Sequence, residues 1–257
     1  MKTIILSAGK GVRLLPLTKD RPKILVELGD GTTLLSRQAE KFFKHPEVKE
    51  IIVGAGHCAE KVEEFAAGVK DKGEMSVVFN PFYAISGPLV TLWVVLNKID
   101  DAGFIFINGD TLFSEAVYAE IAKLFSASKE GIYLLCSPCT DVVSDDIKVK
   151  LNDRGKIVEA GKNVPNNNIV SAGLVIVRGK ESSLAFRKVL DKAARREDFL
   201  NYDKTWHSFI KDLADANIDI EPLMVEKSEW AEVDIHFDLQ ELQSLLKNKI
   251  TFSVQSE

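Results

Sequence analysis

The run Lys2-Thr3-Ile4-Ile5-Leu6-Ser7-Ala8-Gly9-Lys10-Gly11-Val12-Arg13-Leu14-Leu15-Pro16-Leu17-Thr18 stands at the head of the chain, and Arg21-Pro22-Lys23-Ile24-Leu25 follows it. Ile4-Ile5-Leu6 is apolar without alternation, as a strand reads when both faces are buried in a parallel sheet. Small residues at Ser7, Ala8, Gly9 and Gly11 then let backbone N–H groups approach an anion without Cβ obstruction. Arg13 and Lys23 add two cations, and Pro16 and Pro22 forbid an immediate long helix. No Gly-Lys-Ser/Thr closes the loop, so it is not a Walker A motif, and Leu14 stands where a dinucleotide fingerprint has its third Gly or Ala. Such a loop sits on the carboxyl edge of a parallel sheet, where α/β proteins bind ligands. The chemistry points to phosphate; a plain glycine turn is the alternative.

Outward from this loop, strand patterns at 2–7, 50–54, 75–79 and 104–108 alternate with amphipathic stretches at 34–43, 60–69, 89–97 and 115–125. That βαβα order predicts an α/β, Rossmann-like fold: a mostly parallel, mixed sheet flanked by helices. After Gly131 short strands crowd together at 132–136, 147–151, 156–159 and 173–177, with Asn152-Asp153-Arg154-Gly155 as a hairpin turn. Helices at 182–195 and 204–216, strands at 219–225 and 230–233 and a helix at 237–247 complete the pattern. With no repeat or composition-marked linker, residues 1–257 read as a single domain with two halves, about 1–130 and 131–257.

The 257 residues are 46% hydrophobic and 28% charged, an ordinary globular composition. A net charge of −5 argues against nucleic acid or an anionic membrane as partner. No apolar run approaches the roughly 20 residues a bilayer span needs, and the apolar stretch from Thr3 to Leu6 is too short for a signal peptide. A cytoplasmic location is expected. Cys136-Ser137-Pro138-Cys139 matches a redox CxxC only formally, because it ends a strand instead of opening a helix. Ordinary buried thiols are the better reading for Cys58, Cys136 and Cys139. His45, His57, His207 and His236 lack metal-ligand spacing and are read as structural or surface residues.

Asp110 leaves the apolar strand Phe104-Ile105-Phe106-Ile107-Asn108 through Gly109. A carboxylate there borders the ligand crevice and is costly to desolvate unless paired or metal-bound. The alternative is a helix N-cap before the helical stretch that follows. Asn80, after the third strand, is a turn residue or a ligand contact, and Gly87 either starts a helix or touches ligand.

Taken together, the opening run resembles the signature of the sugar-phosphate nucleotidylyltransferase superfamily, Leu-Ala/Ser-Ala-Gly-x-Gly-x-Arg-Leu-x-Pro-Leu-Thr followed by Pro-Lys-x-Leu. Every specified position is met, from Leu6 to Thr18 and at Pro22, Lys23 and Leu25. The resemblance implies that the loop, with Leu6, Ala8, Gly9 and Gly11, wraps a nucleoside triphosphate while Arg13 and Lys23 act on its phosphates. Asn80 and Gly87 would contact the base. Gly109-Asp110 resembles the family's metal motif, and Trp230-Ala231-Glu232-Val233-Asp234 with Asp238-Leu239 resembles its late Trp-x-Glu-Val-Asp-x-x-x-Asp-Leu segment. By that resemblance Asp110 and Asp234 would together hold Mg²⁺, which is commonly bound by one or two carboxylates plus phosphates and waters. Asp238 would stabilise the first turn of the final helix.

Leu92-Trp93, Asp145-Asp146-Ile147-Lys148-Val149 and Ile157-Val158-Glu159-Ala160-Gly161-Lys162 are similar to segments of cytidylyltransferases acting on small phosphorylated alcohols or phosphonates. Lys148, Lys162 and Gly173 would serve the acceptor, Lys162 at its phosphate; a solvent-facing strand residue is the alternative for Lys148. Ser86-Gly87-Pro88 replaces the polar pair those relatives carry before the Leu-Trp segment, and an acidic residue usual before Gly173 is absent. The expected reaction is Mg²⁺-dependent transfer from a triphosphate, CTP favoured, to a phosphocholine-, aminoethylphosphonate- or inositol-phosphate-like acceptor, releasing pyrophosphate. The alternatives are a hexose-1-phosphate nucleotidylyltransferase using UTP, dTTP or GTP, and a catalytically silent nucleotide-binding module. The implied partners are the triphosphate and the acceptor, without nucleic acid or membrane insertion, and with a homo-oligomer left open.

Overall fold

Strand β1 (Lys2–Ser7) runs parallel to β2 (Glu50–Ala55) on one side and β4 (Gly103–Asn108) on the other, with β3 (Glu74–Phe79) parallel beyond β2. The fold is a computed structural model that describes residues 1–69, 73–96, 103–127, 129–165, 168–201 and 205–247. β9 (Ile169–Arg178) lies antiparallel between β4 and β6 (Gly131–Pro138), and β10 (Ile220–Met224) closes the far side parallel to β6. The resulting order is β10-β6-β9-β4-β1-β2-β3, with β7 (Lys148–Leu151) and β8 (Ile157–Gly161) hung from β9. The expected mixed, mostly parallel sheet is therefore present, with strands from both halves of the chain in it.

Alternate residues of the central strands feed two apolar layers. Ile5, Ile105 and Ile107 pack with helices α1 (Leu34–Phe43), α2 (Ala59–Gly68) and α4 (Glu115–Ser126). Ile4, Leu6, Phe104 and Phe106 pack on the opposite face with α3 (Pro88–Val95), α5 (Lys180–Ala193) and α6 (Phe209–Asp215). Thr33 caps α1 through a reciprocal pair of bonds with Ser36. Among the described residues no helix is long and apolar enough to cross a membrane.

Predicted elements agree within a few residues, with two corrections. The helix expected at 204–216 forms α6 only from Phe209, after a 3-10 turn at Trp206–Ser208; Lys204, like Asn97 at the end of another expected helix, lies outside the described residues. Thr111–Phe113, for which the sequence pattern marks no element of its own, forms β5, which pairs antiparallel with β11 (Trp230–Glu232). Helix α4 starts only at Glu115 with Ser114 as its N-cap residue, so the N-cap alternative for Asp110 fails.

β1, β2 and β4 end level with one another, Ser7 opposite Ala55 and Leu6 opposite Asn108. The loops after β1, β3 and β4 consequently emerge on one edge. The packing behind that edge is tight: a Cβ on Gly54 of β2 would come within 2.6 Å of Thr91 Cγ2 on α3. Gly54→Ala is expected to lower stability by about 1–3 kcal/mol through this overpacking, measured as a lower urea midpoint at unchanged slope.

Candidate active site

The glycine-rich loop is held from below. Gly11 takes a left-handed conformation (φ +60°), and a Cβ there would lie 3.1 Å from Thr18 Cγ2 and 3.2 Å from Lys23 Cβ. Thr18 Oγ1 donates to Gly11 O at 2.8 Å, while the His57 ring bonds Thr18 O and the His57 N–H donates to Ala8 O. A Cβ on Gly9 would meet nothing within 4 Å, so a side chain there would enter open cavity space without meeting protein. Above the loop opens a cavity of about 370 Å³. Leu6, Ala8, Gly9, Gly11, Arg13, Lys23, Gly87, Asp110 and Asp234, all singled out in the sequence, line it together with Tyr83, Ser86 and Thr91, which were not.

Asp110 sits on a turn whose backbone is fully braced. Gly109 N donates to Leu6 O at 2.9 Å, and a Cβ on Gly109 would fall 2.9 Å from that same oxygen. The buried Gln38 of α1 gives its amide to Asn108 O at 3.1 Å and Thr111 O at 2.7 Å, the carbonyls on either side of the turn. Val233 N donates to Asp110 O, and the β5–β11 ribbon brings Asp234 alongside. Asp238, near the start of α7 (His236–Lys247), accepts from the backbone N–H groups of Asp234 and Ile235 at 2.7 and 2.8 Å. Its expected place at the start of the last helix is therefore met, and it fixes the Asp234 backbone as well.

Lys23 Nζ bridges the two carboxylates, 2.8 Å from Asp110 Oδ2 and 2.6 Å from Asp234 Oδ1. Burial alone would lower its affinity for a proton, but the two negative charges outweigh burial and hold the ammonium above its usual pKa. Arg13 reaches Asp234 Oδ2 at 3.1 Å and Asp145 Oδ2 at 3.3 Å, and Asp145 also binds Lys162. The Lys162 hydrogen bond, more than any other contact, holds the Asp145 carboxyl below the ordinary range. Burial, then the nearby charges of Asp110 and Asp234, raise the pKa of Glu232, whose Oε1 accepts from Thr111 Oγ1 at 3.3 Å.

Would this pair suit a divalent ion? Among the described residues no group of three or more His, Cys, Asp or Glu forms a protein cage. Two converging carboxylates that already share a cation, with Asp110 Oδ1 buried and without a partner, suit Mg²⁺, whose remaining ligands are commonly waters and substrate oxygens.

A second cavity of about 230 Å³ adjoins the first, and Arg13, Asp110 and Asp234 line both. Lys162 lines it from one side, and Asn108, Ser171, Trp206, His207, Trp230 and Glu232 from the others. Trp206 Nε1 donates to Asn108 Oδ1 at 2.7 Å, and the Trp206 and His207 rings stack with centroids 3.6 Å apart. Lys227 Nζ sits 3.4 Å from the centroid of the Trp230 ring. Sequence reading passed over Asn108, whose signal was present as a polar residue ending an apolar strand at the ligand edge. For Trp206 and His207 no local pattern marked the role, and His207, read as structural or surface, is fully buried in the cavity wall.

Three singled-out residues stand outside both cavities. Asn80 gives its amide N–H groups to Thr91 Oγ1 and Ser86 Oγ and accepts from the Phe82 N–H through Oδ1, so its buried side chain shapes the 80–88 turn. Lys148 is buried in β7 opposite Gly161 and Val170, which removes the solvent-facing alternative. Gly173 (φ +72°) makes room for Asn108, since a Cβ would come 2.7 Å from Asn108 Nδ2. Cys136 is buried in β6 with its thiol pKa raised by burial; Cys139 is half-buried, and the cysteines are free thiols.

A family model described as "MobA-like NTP transferase domain" matches residues 3–145, more than half of the chain. The chain is similar to the choline-phosphate cytidylyltransferase of Streptococcus pneumoniae, 27% identical over 256 residues that cover 97% of this chain and all of that protein. It is also similar to the mannose-1-phosphate guanyltransferase of Yarrowia lipolytica, 32% identical over 127 residues, 48% of this chain and 34% of that one. Among solved structures, the inositol-1-phosphate CTP transferase from T. maritima superimposes with a TM-score of 0.74 at 21% identity, covering 97% of each chain, a likeness of fold.

Burial depresses the pKa of His207 to about 3. The unfolded chain therefore binds a proton there between about pH 6.5 and 3 that the folded chain refuses, so this contribution to stability is present above pH 6.5 and is lost as pH falls. In urea melts at successive pH values, His207→Gln is expected to lose less stability than the parent chain between pH 6.5 and 4.

Proposed function

The chain belongs to the MobA-like NTP transferase domain family and is a nucleotidyltransferase, and we propose that it joins CTP to a small phosphorylated or phosphonate acceptor with release of pyrophosphate. The observation that carries this reading is the pair of adjoining cavities, one beside a glycine-rich loop and one beside Lys162, with Arg13, Asp110 and Asp234 common to both. A donor triphosphate in the first and an acceptor phosphate in the second would meet at those shared charges.

The acceptor's phosphate or phosphonate oxygen is already anionic and attacks the α-phosphorus in line, forming one P–O bond as the bond to pyrophosphate breaks. No general base is required, so rate comes from positioning and charge neutralisation. The backbone from Leu6 to Gly11 cradles the triphosphate, Arg13 and Lys23 bind the departing pyrophosphate, and Lys162 holds the acceptor phosphate. Asp110 and Asp234 would hold Mg²⁺, which when bound supplies positive charge for the developing phosphoryl oxygens. A cytoplasmic setting, with its pool of triphosphates, is part of the reading.

CTP and an acceptor of the phosphocholine, aminoethylphosphonate or inositol-phosphate kind are favoured because the Streptococcus pneumoniae relative is matched over its whole length. The second reading, a hexose-1-phosphate acceptor with UTP, dTTP or GTP, draws on the partial match to the mannose-1-phosphate enzyme. A silent binding module is disfavoured by the intact charged set, since a retired site need not keep it.

Pyrophosphate release screened with four triphosphates against these acceptors is expected to be Mg²⁺-dependent and highest with CTP; turnover confined to a hexose-1-phosphate with another triphosphate would favour the second reading, and no turnover with any acceptor the silent module. Asp110→Asn and Asp234→Asn are each expected to slow turnover on the order of a hundredfold or more, the scale of losing one preorganised electrostatic group. Full activity in either variant would remove the metal assignment. CTP should also raise the melting temperature more than the other triphosphates do, as selective binding to the native state requires.

A further inference from the structure

In the free chain, each cation assigned to a phosphate is bound to a carboxylate of the same site. Lys23 joins Asp110 to Asp234, Arg13 joins Asp234 to Asp145, and Asp145 joins Arg13 to Lys162. The Lys23 side chain is only 15% exposed, so water does little to screen what its ammonium does there. A divalent ion placed on Asp110 Oδ2 and Asp234 Oδ1 would share its two oxygens with a like charge at contact distance, an arrangement a half-buried site does not tolerate. Metal and ammonium therefore exclude one another from this pair.

The ammonium has somewhere else to go. The Lys23 stem passes the phosphate loop, its Cβ 3.2 Å from where Gly11 would carry one, and Lys23 lines the first cavity beside Gly9 and Gly11. Rotation about its side-chain bonds can move Nζ from the carboxylates toward that cavity without moving the backbone. With the cavity empty such a move strands a cation; with phosphates there it gains new partners. We infer that Lys23 is an internal counter-ion that keeps Asp110 and Asp234 closed to a free divalent ion until a triphosphate draws the ammonium away, so that metal and nucleotide enter as a coupled pair. By linkage, each then raises the affinity for the other by the same factor. This inference rests on the reading that Asp110 and Asp234 hold the ion.

Mn²⁺, titrated without nucleotide and followed by the paramagnetic signal of the free ion, tests it. The parent chain and Lys23→Arg, which keep the positive charge, are expected to bind Mn²⁺ weakly. Lys23→Gln should tighten binding on the order of ten- to a hundredfold, the usual span of a coupling between sites. Lys23→Met, which keeps the aliphatic stem, serves if the glutamine variant does not fold by circular dichroism. Binding by the parent chain as tight as that of the neutral variants, or no tightening in them, overturns the inference. Mn²⁺ binding in the presence of CTP separates the two levels. If Asp110→Asn weakens it, the metal reading survives such a failure; if Asp110→Asn leaves it unchanged, the metal reading falls and the inference with it.

Discussion

Asp110 and Asp234 repel one another across a half-buried site, and much of the surrounding structure holds them together against that repulsion. Neither is carried on a long rigid element. Asp110 rides a two-residue turn clamped by Gln38, by the bond from Gly109 N–H to Leu6 O of β1 and by Val233, while Asp234 follows a three-residue strand that pairs, among the described residues, with β5 alone. Lys23 supplies the cation that makes the approach tolerable. Removing one member of such a set leaves uncompensated charge, which costs more than the intact set stabilises. Glu232 adds a third acid, and burial beside two negative charges favours its neutral form. The cluster is consequently less negative than its composition suggests.

The same charges set the boundary between the two cavities. On the glycine-loop side the walls are small residues and backbone, which suits a polyphosphate approached by N–H groups. On the Lys162 side the walls are aromatic rings and polar side chains already bonded to one another, as in Trp206 to Asn108 and Trp230 to Ser137. Pre-bonded side chains lose little freedom when a ligand enters and fix its orientation by shape.

How much of this was legible in the sequence depends on how local the signal is. The parallel half of the sheet could be read because each doubly buried strand is continuously apolar and each helix between strands is amphipathic, patterns written in neighbouring residues. The loop from Leu6 to Lys23 could be read because small residues, cations and prolines occur there in one run. Strand β5 was lost because three residues carry no period, and it exists through pairing with β11 far along the chain. For Asn80 the alternatives of turn residue and ligand contact stayed open because both use the same residue type; its three internal bonds, which show its part in the turn, are made in three dimensions. The pairing of Asp110 with Asp234 is a long-range fact that no spacing encodes, and a family resemblance supplied it in advance.

The placement of β9 carries a consequence for biogenesis. Because β9 lies between β4 and β6, a growing chain that has completed the parallel half still presents a bare, apolar sheet edge along β4. Such an edge is a template for illegitimate pairing with other chains, and it persists until residues 169–178 have left the ribosome. The ribbon that delivers Asp234 is made later still. Translation therefore completes the glycine-rich loop well before it can bring Asp110 and Asp234 together, and a product truncated between the two would carry an adhesive edge and no complete pair of acids.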